Sequence, residues 1–422
     1  MMLGLAAVMV VGLYGLSWQQ VRLVLSDKGW VSCLMDEAGS CYRGWMWGLT
    51  WIGIGVSMIE WRRRMISQDS GLEQAVPGAG RGRIVQIDSL RGVAAVIVVL
   101  FHFTTKYREL YAPTLALPFD IWWGHYGVNL FFIISGFVIF MTLSRSRDWR
   151  DFVVSRFSRL YPAYWVAVAL TFSVVAWLGL PGKEVTFKQA LLNFLMFHTW
   201  FRVPSVDGVY WTLLVELHFY VLALMLFVCG RMSQCFFWLW MLFALKMICF
   251  VGSNVFGLDL PYAIQRVLVL DFIPWFSLGI CAYFLTGQGE APRWKPLVTA
   301  AGALGLIGLS GGGLLVLIGV GCFVLVILAG SGRLWGAGNP VLLWLGTISY
   351  TLYLLHENIG WAVMRQAMNS GLSYAQYMPL TLVLVLMLAS GLAFLVERPA
   401  MAWIRRLYKS RKKRLVADRV RG

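Results

Sequence analysis

The most constraining feature of this 422-residue sequence is a series of apolar runs, each close to 20 residues long. As a helix, a run of that length crosses the roughly 30 Å hydrocarbon core of a bilayer. Hydrophobic residues make up 59% of the chain and charged residues 13%, whereas a soluble domain has about 25% charged residues. The runs are continuous rather than alternating, which favours helices over a transmembrane barrel. The sequence therefore predicts an all-α polytopic membrane protein.

The apolar runs divide into an N-terminal pair and a group of ten. We predict a two-span hairpin, a Gly-rich cytosolic linker, a ten-span core and a basic cytosolic tail, at residues 1–65, 66–83, 84–405 and 406–422. The ten core spans are expected at about 87–107, 126–143, 160–179, 210–229, 236–252, 266–286, 297–311, 314–331, 342–365 and 378–396. The stretch LIGLSGGGLLVLIGV is compatible with two short spans joined by a tight turn or with one broken helix.

The net charge of +16 is unevenly distributed among the loops. With the N-terminus in the cytosol, the cytosolic segments hold 24 lysines and arginines and the outer loops hold 8. This bias predicts that both termini are cytosolic, in a membrane that we expect to be the bacterial inner membrane. The basic segment YKSRKKR is expected to face anionic lipid rather than nucleic acid.

The stretch LRGVAAVIVVLFHF places Arg91 and His102 in one predicted helix. Their spacing of eleven residues puts them about 20° apart around the axis and about 16 Å apart along it. Arg91 can reach the cytosolic surface, whereas His102 lies past the bilayer centre. An ionisable residue at that depth is a candidate for function, although a structural hydrogen bond to a neighbouring helix would also explain it.

Three further ionisable residues are predicted at a similar depth in the outer half of the bilayer. They are Glu216, Asp271 and His356, in YWTLLVELHFY, VLVLDFIPWF and SYTLYLLHEN. Together with His102 they indicate a buried polar site, although each could be a structural hydrogen bond, and Asp271 is the one that fits this simpler explanation best.

On the cytosolic side, Arg156 and Arg159 share a helix face at i, i+3. Arginine can donate two parallel hydrogen bonds to a phosphate, but these two residues could also be ordinary cytosolic topology signals. Two cysteines in the first outer loop, Cys33 and Cys41, predict a disulfide. No His/Cys group has the spacing of a metal site, so we expect no metal.

Five segments, in this order, resemble the acyltransferase-3 family of membrane O-acyltransferases. They cover about residues 84–405 and keep these motif residues: Arg91 and His102; Ser135, Gly136 and Phe137; Arg156 and Arg159; Trp211, Glu216, Phe219 and Tyr220; and the closing LGTISYTLYLLHE, which contains Tyr350 and His356, with VERP. The sequence departs from the family pattern at Asn129, where Asp is usual, and at Leu217 and His218, where Glu-Gln is common. These departures concern the acceptor more than the reaction.

The resemblance implies transfer of an acyl group, often acetyl, from cytosolic acyl-CoA to a hydroxyl of a surface polysaccharide or lipid-linked sugar. On this basis His102 is expected to act as general base or, less favourably, as a transient acyl carrier, and Glu216 to orient its ring. Arg156 and Arg159 are expected to hold the phosphates of acyl-CoA, and Arg91 to shape its entrance.

Other candidate site residues are Ser135, Asp271, Tyr350 and His356. We expect acyl-CoA to be a substrate and no cofactor to be tightly bound. A transporter or flippase of a lipid-linked glycan remains an alternative function, as does a non-catalytic assembly subunit, and the sequence leaves the oligomeric state open.

Overall fold

The computed structural model describes residues 84–114, 119–258 and 261–421. The predicted N-terminal hairpin, the linker and the Cys33–Cys41 disulfide lie outside the described residues. Within these ranges every regular element is a helix, so the all-helical prediction is confirmed for the core.

Thirteen helices follow one another along the described ranges, some of them extended by short 3₁₀ or π turns. They are α1 (Val85–Tyr111), α2 (Gly127–Ser144), α3 (Trp149–Leu178), α4 (Phe187–Asn193), α5 (Trp211–Val228), α6 (Cys235–Phe256), α7 (Tyr262–Val267), α8 (Ile273–Leu285), α9 (Trp294–Gly330), α10 (Pro340–Leu355), α11 (Glu357–Asn369), α12 (Tyr374–Leu392) and α13 (Arg398–Arg421).

Seven segments of the described chain are long and apolar enough to cross a membrane: Val85–Tyr111, Trp122–Ser144, Trp149–Leu178, Gly208–Val228, Met232–Phe256, Trp294–Gly330 and Tyr374–Lys412. Helices α8 and α10 are apolar but shorter. The predicted number of ten spans and the predicted orientation stay predictions.

The Gly-rich stretch in α9 reverses the direction of the chain. Gly312 has φ 74° and ψ −175°, which no helix contains. A Cβ built on Gly319 would lie 3.0 Å from the side chain of Leu304, whereas fifteen residues of straight helix would separate these positions by about 22 Å. The two halves of α9 are therefore antiparallel, which agrees with the predicted tight turn; whether each half spans the membrane stays a prediction.

Because successive long helices run in opposite directions, the connections between them lie at two opposite ends of the bundle, which we call the histidine end and the arginine end. The histidine end carries the described parts of the first connection, 112–114 and 119–126, and the connection 179–207, together with His356. The arginine end carries 145–148, 229–231, 286–293 and 331–339, together with the start of α13. On the orientation predicted above, the arginine end faces the cytosol.

Glycines allow two pairs of helices to approach closely. A Cβ on Gly92 of α1 would collide with the backbone at Gly346 of α10, and Gly136 of α2 meets the backbone of α8 in the same way. Small residues are the usual means of bringing membrane helices together. The α1–α10 contact sets the geometry of the candidate site.

Candidate functional site

Helices α1 and α10 bring two histidines together at the histidine end. From the close approach at Gly92 and Gly346, each helix continues for ten residues to a histidine, His102 in α1 and His356 at the end of α10. Ten residues rise about 15 Å in either helix. The two side chains therefore reach the same level, and His356 Nε2 lies 3.2 Å from His102 Nδ1. The predicted common depth of these two residues is confirmed.

The hydrogen bonds of the two rings assign their protons. His356 Nδ1 donates to the carbonyl of Tyr353 at 2.9 Å, so its Nε2 is the acceptor. His102 Nδ1 donates to the carbonyl of Val98 at 2.8 Å and also faces His356 Nε2. Because a neutral imidazole carries one proton, the lone pair of His102 lies on Nε2. This nitrogen is free to accept a proton.

A π turn at residues His102–Lys106 interrupts α1 at its histidine. Single π turns inside α-helices occur frequently at functional sites. The turn is held from outside, because Trp361 Nε1 of α11 donates to the carbonyl of His102 at 2.9 Å. No sequence pattern in α1 indicates this turn.

Glu357 is the carboxylate that faces His102. Its Oε2 lies 3.7 Å from His102 Nε2, and the residue is only 5% exposed. On the other side Lys183 Nζ lies 3.6 Å from Glu357 Oε1 and 5.1 Å from the centre of the Trp361 ring. A base, a carboxylate and an ammonium group thus lie side by side, the first two mostly buried and Lys183 partly exposed. Sequence reasoning missed Glu357 and Lys183; the signal for Glu357 was a charged residue directly after His356 in an apolar run.

The position of Glu357 is fixed by Asp207 and Gly208, just before α5. Buried Asp207 accepts hydrogen bonds from the backbone N–H of Asn358, at 3.1 Å, and of Val209, at 3.3 Å. Burial, followed by the charge of Glu357, raises the pKa of Asp207 well above its usual value. A Cβ on Gly208 would overlap the Glu357 carboxylate. An alanine at position 208 would therefore displace the Glu357 carboxylate.

Glu216 belongs to a second polar cluster. It accepts hydrogen bonds from Ser135 and, at 2.6 Å, from the Tyr220 hydroxyl. Among the described residues His102 is paired with Glu357 and not with Glu216, so the predicted orienting contact between Glu216 and His102 is wrong. The prediction failed because depth along the helix axes was estimated without the direction in which each side chain points.

A small cavity of about 60 Å³ joins several of the predicted residues. Arg91, Ser135, Glu216, Tyr350 and Tyr353 line it. The Tyr353 hydroxyl lies 2.8 Å from Thr212 Oγ1, and its ring centre lies 5.6 Å from that of His356. Tyr353 therefore lies between this cavity, which Glu216 also lines, and the paired histidines.

At the arginine end, Arg156 is joined by Arg405 of α13. Arg405 Nε donates to Ser158 at 3.2 Å, and its Nη2 lies 3.4 Å from Ser155. The Nε of Arg156 is buried and has no hydrogen-bond partner within the described ranges. Arg159 interacts electrostatically with Glu397. Two guanidinium groups with neutral partners form a site suited to an anion.

Asp271 does not join either cluster. Its carboxylate pairs with Lys246 at 2.9 Å, and its side chain is 64% exposed. This agrees with the simpler expectation that Asp271 has a structural role. Across the described part of the chain, no three His, Cys, Asp or Glu side chains converge in a way that could hold a metal ion.

Comparison with protein families gives one match. The profile of an acyltransferase domain, Acyl_transf_3, matches residues 84–397. This range contains both polar clusters and most of the membrane helices, and it begins one residue before α1.

Several curated proteins are similar to the chain. They include "Putative acetyltransferase ORF330" of Acidianus two-tailed virus, 26% identical over 47% of this chain and 57% of that protein, and "Putative peptidoglycan O-acetyltransferase YrhL" of Bacillus subtilis, 28% identical over 34% of this chain and 24% of that protein. The chain thus spans less than two thirds of the length of these two relatives. "Exopolysaccharide production protein ExoZ" of Rhizobium meliloti is 25% identical over 65% of this chain and 89% of that protein. No solved structure matches significantly.

Proposed function

Because the chain belongs to the acyltransferase-3 family of integral membrane acyltransferases, we propose that it transfers an acyl group from acyl-CoA to a hydroxyl of a surface polysaccharide or lipid-linked sugar. The names of two relatives, a peptidoglycan O-acetyltransferase and an exopolysaccharide production protein, support an acceptor of this class. The observation that carries the proposal is the unprotonated Nε2 of His102 facing a buried carboxylate.

In the proposed reaction His102 is the general base. Its Nε2 takes the proton of the acceptor hydroxyl as the oxygen attacks the thioester carbonyl. The tetrahedral intermediate then expels the CoA thiolate, which takes the proton back from the imidazolium. Glu357 stabilises that imidazolium through its negative charge, and the Lys183 ammonium is placed to stabilise negative charge on the reacting oxygen.

The proposed donor enters from the arginine end, where Arg156 and Arg405 form the anion site. The CoA phosphates would bind there, and the pantetheine arm would pass through the cavity that Glu216 and Tyr353 line. The cavity on this route holds only about 60 Å³, which favours a short acyl group such as acetyl. Glu216 then acts on the donor route, together with Ser135 and Tyr220, rather than on His102.

The proposal is tested with purified protein in lipid nanodiscs, acetyl-CoA and an oligosaccharide acceptor. Release of the CoA thiol and mass gain of the acceptor are measured together. We expect His102→Gln to insert normally and to lose transfer by at least about 10²-fold, the usual contribution of a positioned base. His125→Gln is the matched control, because His125 is a half-buried histidine at the same end that, among the described residues, hydrogen-bonds only to the carbonyl of Trp122 and belongs to neither polar cluster.

Two outcomes would reject the proposal. A transporter or an assembly subunit would release no thiol in the presence of acceptor. A His102→Gln protein that acylates at the parent rate would leave the family fold but remove His102 from the reaction.

A further inference from the structure

A long apolar groove lies between α5, α6 and α8, outside the two polar clusters. Its volume is about 320 Å³. Phe219, Ala223 and Leu226 of α5 form one wall, and Leu239 and Leu242 of α6 form the other. None of the residues that line this groove also lines the small polar cavity. The groove is therefore a separate space.

The dimensions of the groove fit a single alkyl chain. Its lining runs along α5 from Phe219 to Cys229, ten residues or about 15 Å. This is half of the roughly 30 Å hydrocarbon core, the depth of one leaflet. A volume of 320 Å³ spread over that length leaves a cross-section of about 20 Å², too narrow for a second helix about 10 Å across.

One part of the groove is apolar and one end is charged. Phe219, whose ring stacks on Phe276 with centroids 4.0 Å apart, lines the apolar part together with Leu268 and Ile273. At the arginine end the lining includes Arg231. Its exposed guanidinium donates to Gln234 at 3.0 Å, and no carboxylate within the described ranges pairs with it. A cation at the mouth of an apolar, leaflet-deep groove complements a lipid with a negatively charged headgroup.

We propose that this groove binds one acyl chain of an anionic phospholipid, whose phosphate pairs with Arg231. The lipid fills space between α5 and α8, the helices that carry Glu216 and Phe276, and so holds these helices in place. This inference does not depend on the proposed reaction.

The test uses the full-length protein in zwitterionic nanodiscs that contain a phosphatidylglycerol with a diazirine in its acyl chain. After irradiation, labelled peptides are mapped by mass spectrometry. We expect labelling to concentrate on residues 219–242. Ala223→Trp fills the groove and should reduce that labelling to the level of the other helices. Val221→Trp is the matched control, because this exposed residue of α5 lies outside the lining.

The headgroup contact is tested by charge removal. Arg231→Gln should weaken labelling by the anionic probe about fivefold, as expected for one cation near the membrane surface. Arg333→Gln removes an exposed cation at the same end and should have no effect. A phosphatidylcholine probe should label the groove less than the anionic probe does.

Four results would overturn the proposal. Labelling could be spread evenly over the lipid-facing helices, or it could persist unchanged in Ala223→Trp. A polyprenyl phosphate could displace the probe at a lower concentration than phosphatidylglycerol does, which would assign the groove to an isoprenoid lipid. Cross-linking between two protein chains through residues 219–242 would instead assign it to a second copy.

Discussion

Replacement of Glu357 by glutamine tests how much the buried carboxylate contributes to the proposed reaction. The change keeps the size of the side chain and removes the negative charge that lies 3.7 Å from His102 Nε2. Two unit charges at that distance interact by about 1 kcal/mol at the dielectric constant of water and about 4 kcal/mol at an effective value of 20. Both side chains are mostly buried, which places the effect toward the larger figure. Since 1.36 kcal/mol corresponds to tenfold in rate, we expect kcat to fall roughly 10- to 1,000-fold.

The measurement is steady-state transfer from acetyl-CoA in nanodiscs, with kcat and KM determined separately. The KM for acetyl-CoA should stay unchanged, because the anion site lies at the other end of the bundle. Glu109→Gln is the control; this exposed glutamate at the histidine end pairs with Lys106 at 2.7 Å. If Glu357→Gln and Glu109→Gln both transfer the acyl group at the parent rate, the Glu357 carboxylate does not assist His102 and the electrostatic argument is wrong.

Three further predictions concern other parts of the molecule. Arg156→Lys should raise the KM for acetyl-CoA about tenfold with little change in kcat, because lysine lacks the planar guanidinium group that donates two parallel hydrogen bonds to a phosphate. The same substitution at exposed Arg150 should leave the KM unchanged, and equal KM values for both variants would contradict the anion site. Gly208→Ala should lower kcat about tenfold by displacing Glu357, and an unchanged kcat would show that the carboxylate can move aside. Burial lowers the pKa of His198 to about 4, below its unfolded value of about 6.5. Between these two pH values only the unfolded chain binds a proton at this histidine, so the free energy of unfolding should decrease by on the order of 2–3 kcal/mol as the pH falls from 6.5 to 4. Thermal unfolding of His198→Asn should lack this decrease.

The helical architecture could be predicted from the sequence because a bilayer requires apolar helices of a defined length. Apolar runs of membrane length, separated by charged loops, predicted the helices of residues 84–405, and the family motifs predicted His102, His356 and the arginine pair. The motif Ser135–Phe137 also has a clear physical role, since Gly136 lets α2 contact α8 and Ser135 binds Glu216.

The pairing of side chains could not be read from one sequence. Depth along a helix follows from counting residues, but which neighbour a side chain meets depends on helix rotation and on packing between distant elements. Glu216 and His102 were matched by depth and turned out to belong to different clusters. Lys183 stands in a loop without a periodic pattern, and Arg405 stands among ten basic residues of the C-terminal region, so neither was distinguishable before the fold was known.

The π turn at His102 has a consequence for the order in which the protein is made. The carbonyl of His102 is bound by Trp361 and that of Phe103 by Tyr374, at 2.9 and 3.4 Å. Both donors are synthesised more than 250 residues later. During insertion into the membrane, the first core helix therefore exists without the groups that stabilise its wide turn. We expect this helix to enter the membrane as a regular α-helix and to form its π turn only when the last helices have been inserted. In a chain interrupted before residue 340, the helix would then insert normally, but the His102 side chain would point in a different direction from the one it has in the folded protein.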